Sequence, residues 1–96
     1  MTWIPIVPFD AAQGELRDAY DFVYAFYPPE YRDEVDAVTR PDGSADSIVA
    51  AHSLIPPALK HAMATFGALL SPELPLSRRQ HEMIATVVSA LNGCFY

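Results

Sequence analysis

Apolar residues recur along this chain at helical spacing, and no stretch alternates over the length of a strand. Leu16, Ala19, Tyr20, Val23, Phe26 and Tyr27 fall three and four positions apart, while Glu15, Arg17, Asp18 and Asp21 mostly face away. That period predicts an amphipathic helix. Asp10-Ala-Ala-Gln13 just ahead of it has the form of a capping box, in which the aspartate accepts an early backbone N–H and the glutamine reaches back. Pro28-Pro29 ends the helix, because a proline disfavours helix at the residue before it. The stretch EYRDEVDAVTRPDGS that follows is charged and lacks apolar periodicity, and Pro41-Asp42-Gly43 reads as a turn. A short helix and a surface loop are expected there, with the loop region placed at 28–46.

Asp46 is positioned to cap a further segment in which Ile48, Ala51 and Ile55 share one side. Pro56-Pro57 restarts the chain, since proline is well tolerated in a first helical turn. Leu59, Met63, Phe66 and Leu70 then form one stripe, closed by Ser71-Pro72 and Pro75. Ser77-Arg-Arg-Gln80 is a second capping box and opens the strongest helix, whose apolar face is Met83, Ile84, Val87, Val88 and Leu91. Asn92-Gly93 supplies its stop. The expectation is an all-α fold of four or five short helices in a single domain, residues 1–96.

Composition sharpens this picture. With 96 residues, 51% hydrophobic and only 19% charged, the chain holds more apolar surface than a small monomer hides, so self-association is expected. A net charge of −6 removes the electrostatic footprint of a nucleic-acid binder. The opening MTWIPIVPFD has no cationic start and two prolines in its apolar stretch, unlike a secretion signal. No run reaches the ~18 apolar residues that span a membrane. One cysteine excludes an internal disulfide framework and fits a reducing compartment. A cytoplasmic protein is the simplest expectation.

The candidate chemistry sits in the last twenty residues. Cys94 follows the Asn-Gly stop and so would lie at the start of whatever element comes next, where a helix N-terminus favours the thiolate. The alternative is a small buried hydrophobe, as free cysteine commonly is. Glu82 is a candidate proton acceptor for that thiol, or else an acid complementing the helix start. Twelve residues of straight helix would hold the two groups ~18 Å apart along the axis, so spacing by itself does not join them. His81-Glu82 does not open an H-E-x-x-H site, because Ala85 stands where the second histidine would be. His52, His61, His81 and Cys94 lack metal-ligand spacing, and neither a metal nor a cofactor is expected. The histidines read as one at a helix end and two that are amphipathic or at the surface.

The block LSRRQHEMIATVVSALNGCFY, residues 76 to 96, resembles the carboxymuconolactone decarboxylase / alkylhydroperoxidase D-like (AhpD-like) family, and within it the peroxidase-related subgroup. The Leu-Ser-Arg-Arg opening, Glu82, the small-residue run ATVVSA and Asn-Gly-Cys-x-Tyr carry the likeness. Upstream, IPIVPFDAAQGELRDAY and HSLIPPAL resemble that subgroup's first helix and the helix start before its redox motif. The family's site is a glutamate, eleven residues, Cys-x-x-Cys and a histidine. On this alignment Glu82 matches the glutamate, Cys94 the first cysteine, Gly93 the turn, and Phe95 and Tyr96 the x-x pair. The second cysteine would come directly after Tyr96, and the chain carries neither it nor the histidine.

The resemblance implies thiol-dependent peroxide reduction in which one thiolate attacks the O–O bond and a second thiol resolves the sulfenic acid. It implies a hydroperoxide substrate, a thiol reductant and a homo-oligomer. It also implies that the chain ends inside the motif, that this form alone is inactive, and that the helix covering Ile84, Val87, Val88 and Leu91 is missing. Two other readings stand beside it. One is a catalytically silent helical interaction module that assembles through its apolar faces. The other is the decarboxylase branch of the same superfamily, against which the Asn-Gly-Cys-x-Tyr context speaks.

Overall fold

The computed structural model describes residues 4–27 and 48–94. The loop expected at 28–46, the Pro28-Pro29 stop and the Asp46 cap lie outside the described residues, as do Phe95 and Tyr96. Within them the chain is all-α: a 3-10 turn over Phe9–Ala11 precedes helices α1 (Gly14–Tyr24), α2 (Ile48–Ala51), α3 (Pro56–Leu69) and α4 (Arg78–Leu91). No strand occurs among the described residues. The chain separates into two compact units, Met1–Thr65 and Phe66–Tyr96, so the division falls inside α3.

The first unit holds the core. Ala12, Ala19, Tyr20, Val23, Val49, Leu59 and Met63 form one buried cluster, with Phe9, Leu16, Tyr24 and Tyr27 packed partly against it. The stripe expected of α1 is therefore present, and its aromatic members lock together. Phe9 meets Tyr20 and Tyr24 edge-on at centroid distances of 5.7 and 5.6 Å, and Tyr24 meets Tyr27 the same way at 5.3 Å. Such pairs add about 0.5–1.5 kcal/mol each beyond the area they bury. Phe26 departs from the stripe and is exposed. The helix has closed by then, with Phe26 and Tyr27 donating to the carbonyls of Val23 and Tyr24 in a tightened last turn.

Polar groups fix where the extended start of the chain lies. Val7 N–H donates to Ser53 Oγ at 2.8 Å, and the Tyr20 hydroxyl donates to Val7 O at 2.6 Å. Tyr20 and Ser53 are both buried to within 2% of their surface, so each bond satisfies a group that water no longer reaches.

Two expectations fail in this unit. The Asp10–Gln13 capping box does not form: Asp10 sits in the 3-10 turn, and α1 starts only at Gly14 with Gln13 as a cap that makes no side-chain bond. Ala12 N–H is spent on Phe9 O, which closes the turn one residue too early for the box. The side of the next segment is also reversed. Val49, Ala50 and Ser53 are buried, while Ile48 and Ile55 are exposed. Helix α2 is a single turn followed by tighter i→i+3 bonds at His52 and Ser53, so a 3.6-residue period does not carry from 48 to 55. Helix α3 starts at Pro56 as expected, and its stripe is buried at Leu59 and Met63 but exposed at Phe66, beyond the unit boundary.

Removing the Tyr20 hydroxyl isolates the value of the Val7 clamp. Tyr20→Phe keeps the ring but leaves Val7 O unpaired, and should cost about 1–2 kcal/mol in urea unfolding. Burial raises the Tyr20, Tyr24 and Tyr27 phenols above their ordinary 10.0, offset in part at Tyr20 by the Ser53 hydroxyl. The unfolded chain then releases these protons first, so stability is full below pH 10 and falls as the pH rises above it. Tyr20→Phe, with one such phenol fewer, should show the shallower alkaline decline.

Candidate functional site

Helix α4 carries Glu82, and Cys94 follows directly on its C-terminal turn. Its start is the expected capping box: Gln80 N–H donates to Ser77 Oγ at 3.3 Å, and Ser77 N–H donates to Gln80 Oε1 at 2.8 Å. Two backbone donors that a bare helix start would leave unpaired are thus satisfied by one side-chain pair.

The far end closes with equal definition. Gly93 adopts φ +63°, and its N–H donates to Ala90 O at 3.2 Å, while Cys94 N–H donates to Ser89 O at 2.9 Å. This pair of bonds around a left-handed glycine is the Schellman arrangement. Asn92-Gly93 is therefore the stop that the sequence announces. Cys94 is the residue just past it, and its side chain is exposed rather than buried. Its amide is committed to Ser89, so that donor is not available to a bound oxygen or to the thiolate.

Glu82 lies one turn into α4. Its Oε1 accepts from Arg78 Nε at 3.0 Å across an i,i+4 pair that is about half exposed on both sides. Pairs of this kind contribute about 0.3–0.5 kcal/mol and leave the carboxylate in a wet environment. The Thr86 hydroxyl donates to the Glu82 carbonyl at 2.7 Å. The structure does not bring Glu82 and Cys94 together, since the straight helix holds them roughly 15–18 Å apart. It also puts Glu82 about 180° around the helix from Leu91, opposite the apolar face. His81 is buried. Among the described residues no cluster of histidine, cysteine or acidic side chains could hold a metal ion, and no helix is long and apolar enough to cross a membrane.

The feature that sequence reasoning identified only as a pattern is how bare this face is. Met83, Ile84, Val87, Val88 and Leu91 are between 50% and 82% exposed. Leu76 and Gln80 join four of them around an open depression of about 390 Å³. Every buried hydrophobic residue among those described lies between Ala12 and Met63, and His81 is the one buried residue described in the second unit. At about 1.5–3 kcal/mol for burying one such side chain fully, covering these five would contribute about 4–8 kcal/mol. An isolated helix of this length is marginal in water, so what stabilises α4 is its two caps and whatever packs on this face.

Comparison with family models, with curated proteins and with solved structures gives no match. The site is thus described by its own geometry: an exposed thiol, fixed just past a capped helix, beside the free end of an apolar stripe.

Replacing Gly93 by alanine should cost about 1–2 kcal/mol locally, because a side chain is strained at this φ. Hydrogen exchange should read this as faster loss of the Cys94 and Gly93 amide deuterons, with protection across α1 unchanged.

Proposed function

We propose that this chain carries the peroxide-attacking thiol of an AhpD-like, peroxidase-related protein. The observation that supports it is the placement of Cys94, exposed and directly after the Gly93 turn that closes the helix carrying Glu82 twelve positions earlier. This is the order of groups that the resemblance of residues 76–96 implies. In the reaction the Cys94 thiolate attacks one peroxide oxygen and the O–O bond breaks. The departing alkoxide takes up a proton and leaves as the alcohol, and sulfur is oxidised by two electrons to the sulfenic acid. A thiol reductant then attacks that sulfur, a disulfide forms and water leaves. Residues 1–96 hold one cysteine, so that second thiol is not among them. The glutamate's part is proton transfer, which in this reading requires a shorter separation from Cys94 than α4 alone provides.

A second reading, of a different class, is a catalytically silent helical module that works by association. The exposed face of α4 favours it. In that reading Cys94 has no peroxide chemistry beyond that of any accessible thiol.

Peroxide treatment followed by sulfenic-acid trapping and mass spectrometry separates the two. Under the first reading, Cys94 reacts with an alkyl hydroperoxide faster than free cysteine does at the same pH, and Cys94→Ser abolishes trapping. Glu82→Gln should slow that oxidation, and an unchanged rate in this variant removes Glu82 from the chemistry. A wild-type rate equal to that of free cysteine overturns the peroxidase reading.

A further inference from the structure

We infer that Asn92-Gly93 is a self-modification site, at which deamidation is held in check by the C-terminal turn of α4. The inference goes beyond both functional readings and depends on neither, because residues 89–94 are all that take part. Asn92 is the one asparagine in residues 1–96, and glycine follows it directly.

The reaction needs only water. The Gly93 backbone nitrogen attacks Asn92 Cγ, and a bond forms between them. The bond from Cγ to the side-chain nitrogen breaks, and ammonia leaves with the proton that the Gly93 amide gives up. Water then opens the five-membered imide. Attack at Cγ gives aspartate, and attack at the main-chain carbonyl gives isoaspartate. Glycine favours the first step, because it has no side chain to crowd the nitrogen and its backbone turns freely.

In the closed turn that step is blocked. Ring closure needs the Gly93 nitrogen to come into line with Asn92 Cβ. At the Asn92 ψ of −3° it eclipses the backbone nitrogen of Asn92 instead. Swinging it round rotates the peptide plane and breaks two bonds, Gly93 N–H to Ala90 O at 3.2 Å and Cys94 N–H to Ser89 O at 2.9 Å. Asn92 is itself anchored by its N–H on Val88 O at 3.0 Å. Only the opened turn reacts, so the rate of deamidation reads how often this end of α4 frays.

The products do not fit the turn that gave rise to them. Aspartate places an anion where the helix dipole is already negative. Isoaspartate adds a methylene to the main chain between Ser89 O and Cys94 N–H, so the Schellman ring no longer closes with its own geometry. Either product frees Cys94 from the place that the turn gives it.

The full chain incubated at mildly alkaline pH, in buffer and in guanidinium chloride, tests this. Peptide mapping by mass spectrometry follows Asn92, and isoaspartate-specific methylation separates the two products. Asn92 should convert at least about tenfold faster in denaturant than in buffer. Ala90→Gly loosens the last turn and keeps the Asn-Gly pair. It should speed conversion in buffer about fivefold and leave the rate in denaturant unchanged. The deamidated chain should exchange its Cys94 amide faster than the unmodified one. Equal rates in buffer and denaturant overturn the control by the turn. An Asn92 that stays intact in denaturant overturns the site itself. Unchanged protection at Cys94 after deamidation overturns the link to the thiol's position.

Discussion

The backbone of one residue, Val7, organises the first unit. Its carbonyl is held by the Tyr20 hydroxyl from α1, and its amide by the Ser53 hydroxyl from the turn before α3. Ser53, 46 positions from Val7 in sequence, is thereby tied to the same extended stretch as α1. The apolar cluster could slide or repack among near-equivalent arrangements, since dispersion and burial have little directionality. Two short bonds to the backbone of a single residue give that cluster a fixed register. The Phe9–Tyr20–Tyr24 contacts then follow, because Phe9 is two residues further along the same anchored segment.

The second unit is built on a different principle. Its order comes from helix ends: a reciprocal Ser77–Gln80 box at the start and a glycine-centred turn at the finish. Neither device depends on burial. The apolar face is therefore presented on a well-defined scaffold without being consumed by the fold that presents it. Surfaces of this kind mark contacts with something else. The exposed Cys94 stands at the end of that surface, so any body that covers the stripe as far as Leu91 also sets the access of reactants to the thiol.

The sequence was most informative where structure is local. The Ser77 box and the Asn92-Gly93 stop each depend on residues within a few positions, and both form as their side-chain chemistry dictates. The core stripe of α1 was legible for the same reason, since eleven residues give a 3.6-residue period time to declare itself. The sequence misled at Asp10 and at 48–55. Asp10 offers a cap, but the 3-10 turn that Phe9 O closes with Ala12 competes for the same backbone. Across 48–55, one helical turn is too short to define a face, and Ser53 is drawn inward by a bond to a residue far away in sequence. Glu82 and Cys94 were visible as a pair only through their order in the chain. Their separation along a straight helix and the pairing of Glu82 with Arg78 are three-dimensional facts.

The division inside α3 has a consequence for how the chain comes apart. Leu59 and Met63 hold the first turns of that helix in the core, whereas Leu69 at its end is exposed. Opening should therefore start at the C-terminal turn and run backward, so that amide protection grades from strong to weak along one continuous helix. The segment beyond, from Ser71 to Leu76, combines exposed leucines with turn backbone, which is where proteases cut. A single nick there would cut the covalent link between the capped helix with its thiol and every buried apolar side chain described.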